Sequence, residues 1–261
     1  MSPPSPTDDS SRHDDAPALT VAMLAYNEES NIRAAVTEMV DELRGLGAPW
    51  ELLVVDDGSS DDTGRIIDEL ASDEPRVRAV HHAENLGLGG GYRTGFREAR
   101  GTFLIFYPAD GQFPPSIIPE FFAQMPELDM LLGYLPAHER RPIARALSFA
   151  ERVVYRVALG RMPKFQGVLM FRTRLLEEIP LVSEGRGWGV IMELILRVAR
   201  GGFRVRSAPT AMRQRQSGES KVQNTRTIAA NLRQVWALRA AVNAPSSSAR
   251  PSRAPKPPPR D

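Results

Sequence analysis

The sequence predicts an α/β fold: a doubly wound, mostly parallel sheet flanked by helices. Two observations carry this expectation. Short apolar runs alternate strictly with helical periodicities through the first half, and a polar cluster closes each run. Strict strand–helix alternation implies right-handed crossovers and a parallel sheet.

The elements follow in order. Leu19 to Ala25 is a short apolar run, and Glu29 to Leu46 places Ile32, Val36, Met39, Val40 and Leu43 at helical spacing. Glu51 to Val55 reads as a buried strand ending in Asp56-Asp57-Gly58, and Asp61 to Leu70 as a helix. Val77 to Val80, the helix Leu88 to Ala99 and the strand Phe103 to Tyr107 continue the pattern. Pro115 to Met125 should be helical and Met130 to Leu132 a short strand. Beyond these the periodicities predict a helix over Pro142 to Leu159, a strand over Val168 to Phe171 and a helix over Val190 to Arg200. A strand over Phe203 to Arg206, a polar loop over Arg213 to Lys221 and a last helix over Thr225 to Val242 complete the chain. Residues 1–17 and the Pro/Ser/Arg-rich 244–261 lack the apolar content to join a core, and both are expected to be disordered tails. Residues 18–243 are expected to form one domain, with a nucleotide-binding half at 18–135 and an acceptor-binding half at 136–243.

Composition narrows the function classes. The chain has 261 residues, 42% of them apolar and 25% charged, which suits a globular core. A formal net charge of +1 argues against broad nucleic-acid binding, although basic residues dominate from Arg200 onward. That basic third suits a phosphate-bearing partner or an anionic membrane surface; a merely solvated basic face is the plainer alternative. There is no cysteine, so disulfides and thiolate metal sites are excluded, and the four histidines show no paired metal-ligand spacing. No run of about 18 apolar residues occurs, so no membrane-spanning helix is expected. The polar N-terminus reads as no signal segment, and the expected compartment is the cytoplasm.

Parallel sheets bind ligands at the carboxyl ends of their strands. The polar clusters Tyr26-Asn27-Glu28, Asp56-Asp57-Gly58, Asn85 and Asp110-Gly111-Gln112 all fall there, so they predict one shared site. In VVDDGSSDDT, Gly58 supplies the turn and Ser60 or Asp61 caps the next helix. Turn chemistry accounts for one of the two carboxylates and leaves the other free for a base or ribose. The glycine-rich NLGLGGGYRTG permits close backbone approach, to a ligand at a helix N-terminus or to a packed neighbour. Asp110 and the Gln112 carbonyl offer hard oxygen ligands to Mg2+ or Mn2+, with nucleotide phosphates and water supplying the rest.

Ala25-Tyr26-Asn27-Glu28-Glu29, VVDDGSSDDT, NLGLGGGYRTGF and PADGQFPP occur in series. Their order and spacing resemble family 2 glycosyltransferases, in the dolichol-phosphate mannosyltransferase-like and polyprenyl-phosphate branch. RQRQSGESK, from Arg213 to Lys221, resembles that branch's basic loop. The resemblance implies a GT-A fold, a GDP- or UDP-sugar donor, a divalent metal and an inverting hexosyl transfer. It implies that Ala25, Tyr26, Glu28, Asp56 and Asp57 line base and ribose, with Asn85, Gly87 and Ala109 alongside. Asp110 and Gln112 would hold the metal, while Arg215, Ser220 and Lys221 face donor or acceptor phosphate. The implied acceptor is a lipid-linked phosphate, which would place the protein peripherally at the cytoplasmic face of a membrane. Pro108 stands where the family's metal motif usually begins with aspartate, and Leu24 where a proline usually stands.

Asp110, Glu193, Arg215 and Lys221 are the candidate catalytic residues. Glu193 would be the general base if the acceptor were a hydroxyl. Its alternative is a structural pairing with a nearby arginine. Two rival functions are transfer to a soluble small molecule and, because of Pro108, nucleotide-sugar binding without catalysis.

Overall fold

The computed structural model describes residues 16–136 and 162–213, together with Arg239. The expected helices at 142–159 and 225–242, the loop at 214–221 and both tails lie outside the described residues.

Seven strands form one sheet in the order β3-β2-β1-β4-β6-β5-β7. They are β1 (Leu19–Ala25), β2 (Trp50–Asp56), β3 (Val77–His81), β4 (Phe103–Pro108), β5 (Met130–Tyr134), β6 (Leu169–Arg172) and β7 (Val205–Pro209). The helices are α1 (Ile32–Arg44), α2 (Thr63–Asp73), α3 (Gly87–Glu98), α4 (Ile117–Phe122), α5 (Leu175–Glu178) and α6 (Gly189–Arg200). A 3-10 turn, Met125–Glu127, follows α4 where the sequence predicted helix as far as Met125. β6 is antiparallel to both β4 and β5, and every other pairing is parallel.

The apolar runs of β1 and β2 are buried almost throughout because helices cover both faces of the sheet. Their side chains alternate between two cores. Leu19, Val21, Met23, Leu52 and Val54 pack toward α1, whose Ile32, Val36, Met39, Val40 and Leu43 form its buried stripe. Ala22, Leu53, Val55 and Leu104 pack on the other face with Tyr92 of α3 and Val190, Ile191, Leu194 and Val198 of α6. The two-residue period of a strand makes this sorting automatic once the register is set.

Register fixes the site. Ala25 sits beside Asp56, Asp56 beside His81, and Leu24 beside Pro108. The carboxyl ends of β1 to β4 therefore make one continuous rim, at the point where strand order reverses between β1 and β4.

Candidate active site

The loop after β1 is tied to the loop after β2. Asn27 adopts a left-handed backbone, φ 52°, a conformation asparagine tolerates better than most residues. From there its N–H donates to Ser59 Oγ at 2.9 Å and its Oδ1 accepts the Ser60 N–H at 2.9 Å. The Glu28 N–H donates to Thr63 Oγ1 at 2.8 Å, while Glu28 Oε2 accepts from Asn31 Nδ2 at 2.7 Å. Asp61 accepts the Thr63 N–H at 3.0 Å in the turn before α2, but the residue that precedes the helix is Asp62 and it makes no side-chain cap, so neither Ser60 nor Asp61 takes the capping role expected of them. Burial raises the Asp61 pKa, but hydrogen bonds from Thr63 and Glu29 outweigh it and hold the carboxyl below its ordinary value. Tyr26 projects from this junction with 38% of its surface exposed.

Both carboxylates of the Asp56-Asp57 pair have protein partners, which corrects the expectation that one is free. Asp56 Oδ1 accepts the Ser59 N–H at 3.0 Å, and Oδ2 lies 3.0 Å from His81 Nδ1. Asp57 Oδ1 accepts the Leu86 N–H and contacts His82 Nδ1, each at 2.8 Å; Oδ2 accepts the Gly87 N–H at 2.8 Å. Asp57 thus ends one strand and anchors the loop before α3. It can still border a nucleotide, but as a fixed wall.

The glycine-rich helix start is likewise occupied by protein. Gly89 N–H donates to the Arg186 carbonyl at 2.8 Å, and the Arg93 guanidinium donates to the Gly185 carbonyl at 3.1 Å. Gly87 has φ 72°, and a Cβ there would stand 2.6 Å from the Arg186 carbonyl oxygen. A Cβ at Gly89 would overlap the Gly185 carbonyl. These glycines admit residues 185–187 rather than a phosphate, so of the two readings of the segment the structure supports close packing. Arg186 also donates to Asn85, at 2.6 Å to its carbonyl and 2.6 Å to its side-chain oxygen.

At the end of β4, Ala109 is buried and its N–H donates to the Leu24 carbonyl at 3.2 Å. Asp110 and Gln112 are half-buried, and Asp110 Oδ1 accepts the Gln112 N–H at 3.1 Å. The Gln112 carbonyl accepts the Arg213 N–H at 2.6 Å, which brings the start of the basic segment to this motif. Among the described residues no three His, Asp or Glu side chains cluster as a metal cage. One carboxylate and one amide nevertheless fit Mg2+ or Mn2+, because such ions keep several water or phosphate ligands.

Glu193 stands apart from the rim cluster. It is fully buried in α6, accepts Val182 N–H at 3.1 Å and Ser183 N–H at 2.8 Å, and pairs with Arg197 Nε at 2.8 Å. Arginine pairing was the alternative to a general base, and the contacts match that alternative. Arg215, Ser220 and Lys221 lie outside the described residues.

Sequence reasoning missed three contributors. His81 and His82 end β3 and meet Asp56 and Asp57 in turn; as a polar pair closing an apolar strand they carried the same signal as the other rim clusters. His82 is nearly buried, with Nε2 2.8 Å from Thr94 Oγ1. Burial depresses the His81 pKa, but hydrogen bonds to Asp56 and Asp68 outweigh it, so the net shift is upward. Arg186 reaches the rim only through long-range folding, and no local motif marks it. A cleft of about 570 Å³ on the opposite rim, lined by Pro17, Trp50, Arg76 and Arg100, is remote from all these groups.

The polar clusters thus lie where open α/β sheets take up their ligands, at the carboxyl ends of the strands beside the reversal of strand order. The chain belongs to glycosyl transferase family 2, whose family profile matches residues 20–177. It is 32% identical over 208 residues to the undecaprenyl-phosphate mannosyltransferase of Micrococcus luteus, covering 76% of this chain and 84% of that one. It is 32% identical over 136 residues to an undecaprenyl-phosphate 4-deoxy-4-formamido-L-arabinose transferase of Pectobacterium carotovorum, covering 52% of this chain and only 42% of that relative. Glucosyl-3-phosphoglycerate synthase from Mycobacterium tuberculosis, solved with Mn2+, UDP and glucosyl-3-phosphoglycerate, superposes with a TM-score of 0.59. Identity there is 22%, over 87% of this chain and 80% of that one, which establishes the shared GT-A fold.

Proposed function

We propose that this chain transfers a hexose from a GDP- or UDP-sugar to a polyprenyl phosphate, with inversion at the anomeric carbon. The observation that carries the reading is the convergence at one rim of Tyr26 and Glu28, Asp56 and Asp57, and Asp110, with Arg213 tied to Gln112 beside them. The Micrococcus and Pectobacterium relatives are undecaprenyl-phosphate sugar transferases, which supports a polyprenyl-phosphate acceptor.

In this reading the acceptor phosphate oxygen attacks the anomeric carbon, and the bond from that carbon to the nucleoside diphosphate breaks. A phosphate monoester is already anionic, so no strong general base is required. Asp57, locked by three side-chain contacts, presents a rigid wall to base and ribose beside Ala25, Tyr26, Glu28 and Asp56. Asn85, Gly87 and Ala109 complete the donor pocket. Asp110 and Gln112 would hold Mg2+ or Mn2+, which supplies neutralisation of charge on the departing diphosphate. Arg215, Ser220 and Lys221, a few residues beyond Arg213, would bind acceptor or donor phosphate through charge-assisted hydrogen bonds. Trp188 and Met212, 42% and 44% exposed, are large apolar side chains close in sequence to Arg186 and Arg213 of this rim and support a peripheral, lipid-facing role for it. No helix among the described residues is long and apolar enough to cross a membrane.

The test is a transfer assay with a panel of labelled GDP- and UDP-sugars, Mn2+, and undecaprenyl phosphate in vesicles, run beside 3-phosphoglycerate as a soluble acceptor. The reading expects label in the lipid fraction. Label in the soluble acceptor alone would reassign the acceptor class, and nucleotide binding without any transfer would remove the catalytic reading.

A further inference from the structure

Glu193 is the most deeply buried carboxylate among the described residues, with none of its surface exposed. Its oxygens accept the N–H groups of Val182 and Ser183 and the Nε–H of Arg197, itself only 12% exposed. A carboxylate has about four acceptor sites, and three N–H donors, one shared between both oxygens, occupy most of them while the side chain has no exposed surface.

The segment it holds leads directly to the donor rim. Val182 and Ser183 open the loop that ends at Trp188, and three of that loop's groups grip the glycine-rich start of α3. The Arg186 carbonyl takes the Gly89 N–H, the Arg186 guanidinium takes both oxygens of Asn85, and the Gly185 carbonyl takes Arg93. Residues 86 and 87 are in turn bonded to Asp57. A path of hydrogen bonds joined by short stretches of backbone thus runs from the interior of α6 to the end of β2.

We propose that Glu193 is a positioning residue: it fixes the 182–188 loop from beneath and, through Arg186, holds the Asn85–Gly89 segment in its donor-binding geometry. This rests on the transferase reading above for its functional consequence, but the mechanical link stands on these contacts alone. Glu193 touches no reacting atom in this scheme.

The experiment compares E193Q, R186A and the double variant with wild type by hydrogen–deuterium exchange and by calorimetry with UDP and GDP in Mn2+. Arg186 is exposed, so R186A tests the far end of the path without disturbing the core. E193Q should speed amide exchange in both 182–188 and 85–90, and R186A in 85–90. Each should weaken nucleotide binding by roughly three- to thirtyfold. The double variant should be little worse than the worse single one, because both act through one loop. The pH profile of turnover in E193Q should keep its wild-type shape. Unchanged exchange at 85–90 in either variant, additive losses, or disappearance of one limb of the pH profile would each overturn the proposal. If wild type binds neither nucleotide, the transferase reading fails, and the exchange measurements alone still decide the link.

Discussion

Asp57 Oδ1 and His82 Nδ1 stand 2.8 Å apart at the ends of neighbouring parallel strands, and the same oxygen accepts the Leu86 N–H. Asp57 is only 8% exposed, so water cannot readily replace these contacts. Substituting Asp57→Ala leaves the Leu86 and Gly87 N–H groups without acceptors. These donors are half-buried, and a stranded donor costs about 1–3 kcal/mol when fully buried, so each should lie toward the lower end of that range. Urea denaturation should show a loss in that range or above it, while Asp68→Ala, at an exposed carboxylate, should lose far less.

Two glycines separate crowding from backbone strain. Gly89 meets the Gly185 carbonyl, whereas Gly47 has φ 70° and nothing within 4 Å of a built Cβ. Gly47→Ala should cost roughly 1–2 kcal/mol, the ordinary penalty for a left-handed alanine. Gly89→Ala has to displace residues 185–187, so it should also weaken nucleotide binding, a defect Gly47→Ala should not share. Thermal denaturation and calorimetry on both variants check this contrast.

His81 links stability to pH. Its folded pKa is raised above the ordinary histidine value of about 6.5 by Asp56 and Asp68, against the opposing effect of burial. A raised folded pKa means that the protonated form is favoured by folding. Its contribution is fully present below the unfolded pKa and is lost as pH rises through the folded one. The stability difference between wild type and His81→Gln should therefore be larger at pH 5.5 than at pH 8.5. Paired denaturation curves at the two pH values measure it, and a larger difference at the higher pH would reverse the assignment.

Pro108 occupies the place of a missing carboxylate, in register beside Leu24 on β1. Pro108→Asp adds a hard anionic ligand two residues before Asp110. Mn2+ affinity without nucleotide should rise, since affinity for such ions follows ligand charge. Calorimetric titration with Mn2+ alone reads the effect; unchanged affinity would mean that Asp110 does not face the cation.

The first four strands and their helices were legible because a strand covered on both faces reads as a nearly continuous apolar run, as in Leu19–Ala25, interrupted only by Thr20, and in Leu52 to Val55 of β2. The rim was legible for the same reason: parallel strands must end together. The direction of β6 was not, since Leu169–Arg172 is four residues long and its antiparallel pairing with β4 is decided by tertiary packing. The four-residue α5 is too short to show a period. Within the site, residue types were readable and partnerships were not. Nothing local to Asn85 announces Arg186, 101 residues away, and nothing local to Asp57 announces the Gly87 N–H. Glycines that suggested a phosphate cradle instead serve that distant contact.

The proposed donor site at the carboxyl-end rim depends on Asp110. Calorimetry of UDP and GDP, with and without Mn2+, on wild type, Asp110→Asn and Arg76→Ala at the opposite rim is the decisive measurement. At least one nucleotide should bind wild type and Arg76→Ala in a Mn2+-dependent manner, and roughly 100-fold more weakly in Asp110→Asn. Equal affinity in wild type and Asp110→Asn, or loss in Arg76→Ala alone, would contradict it.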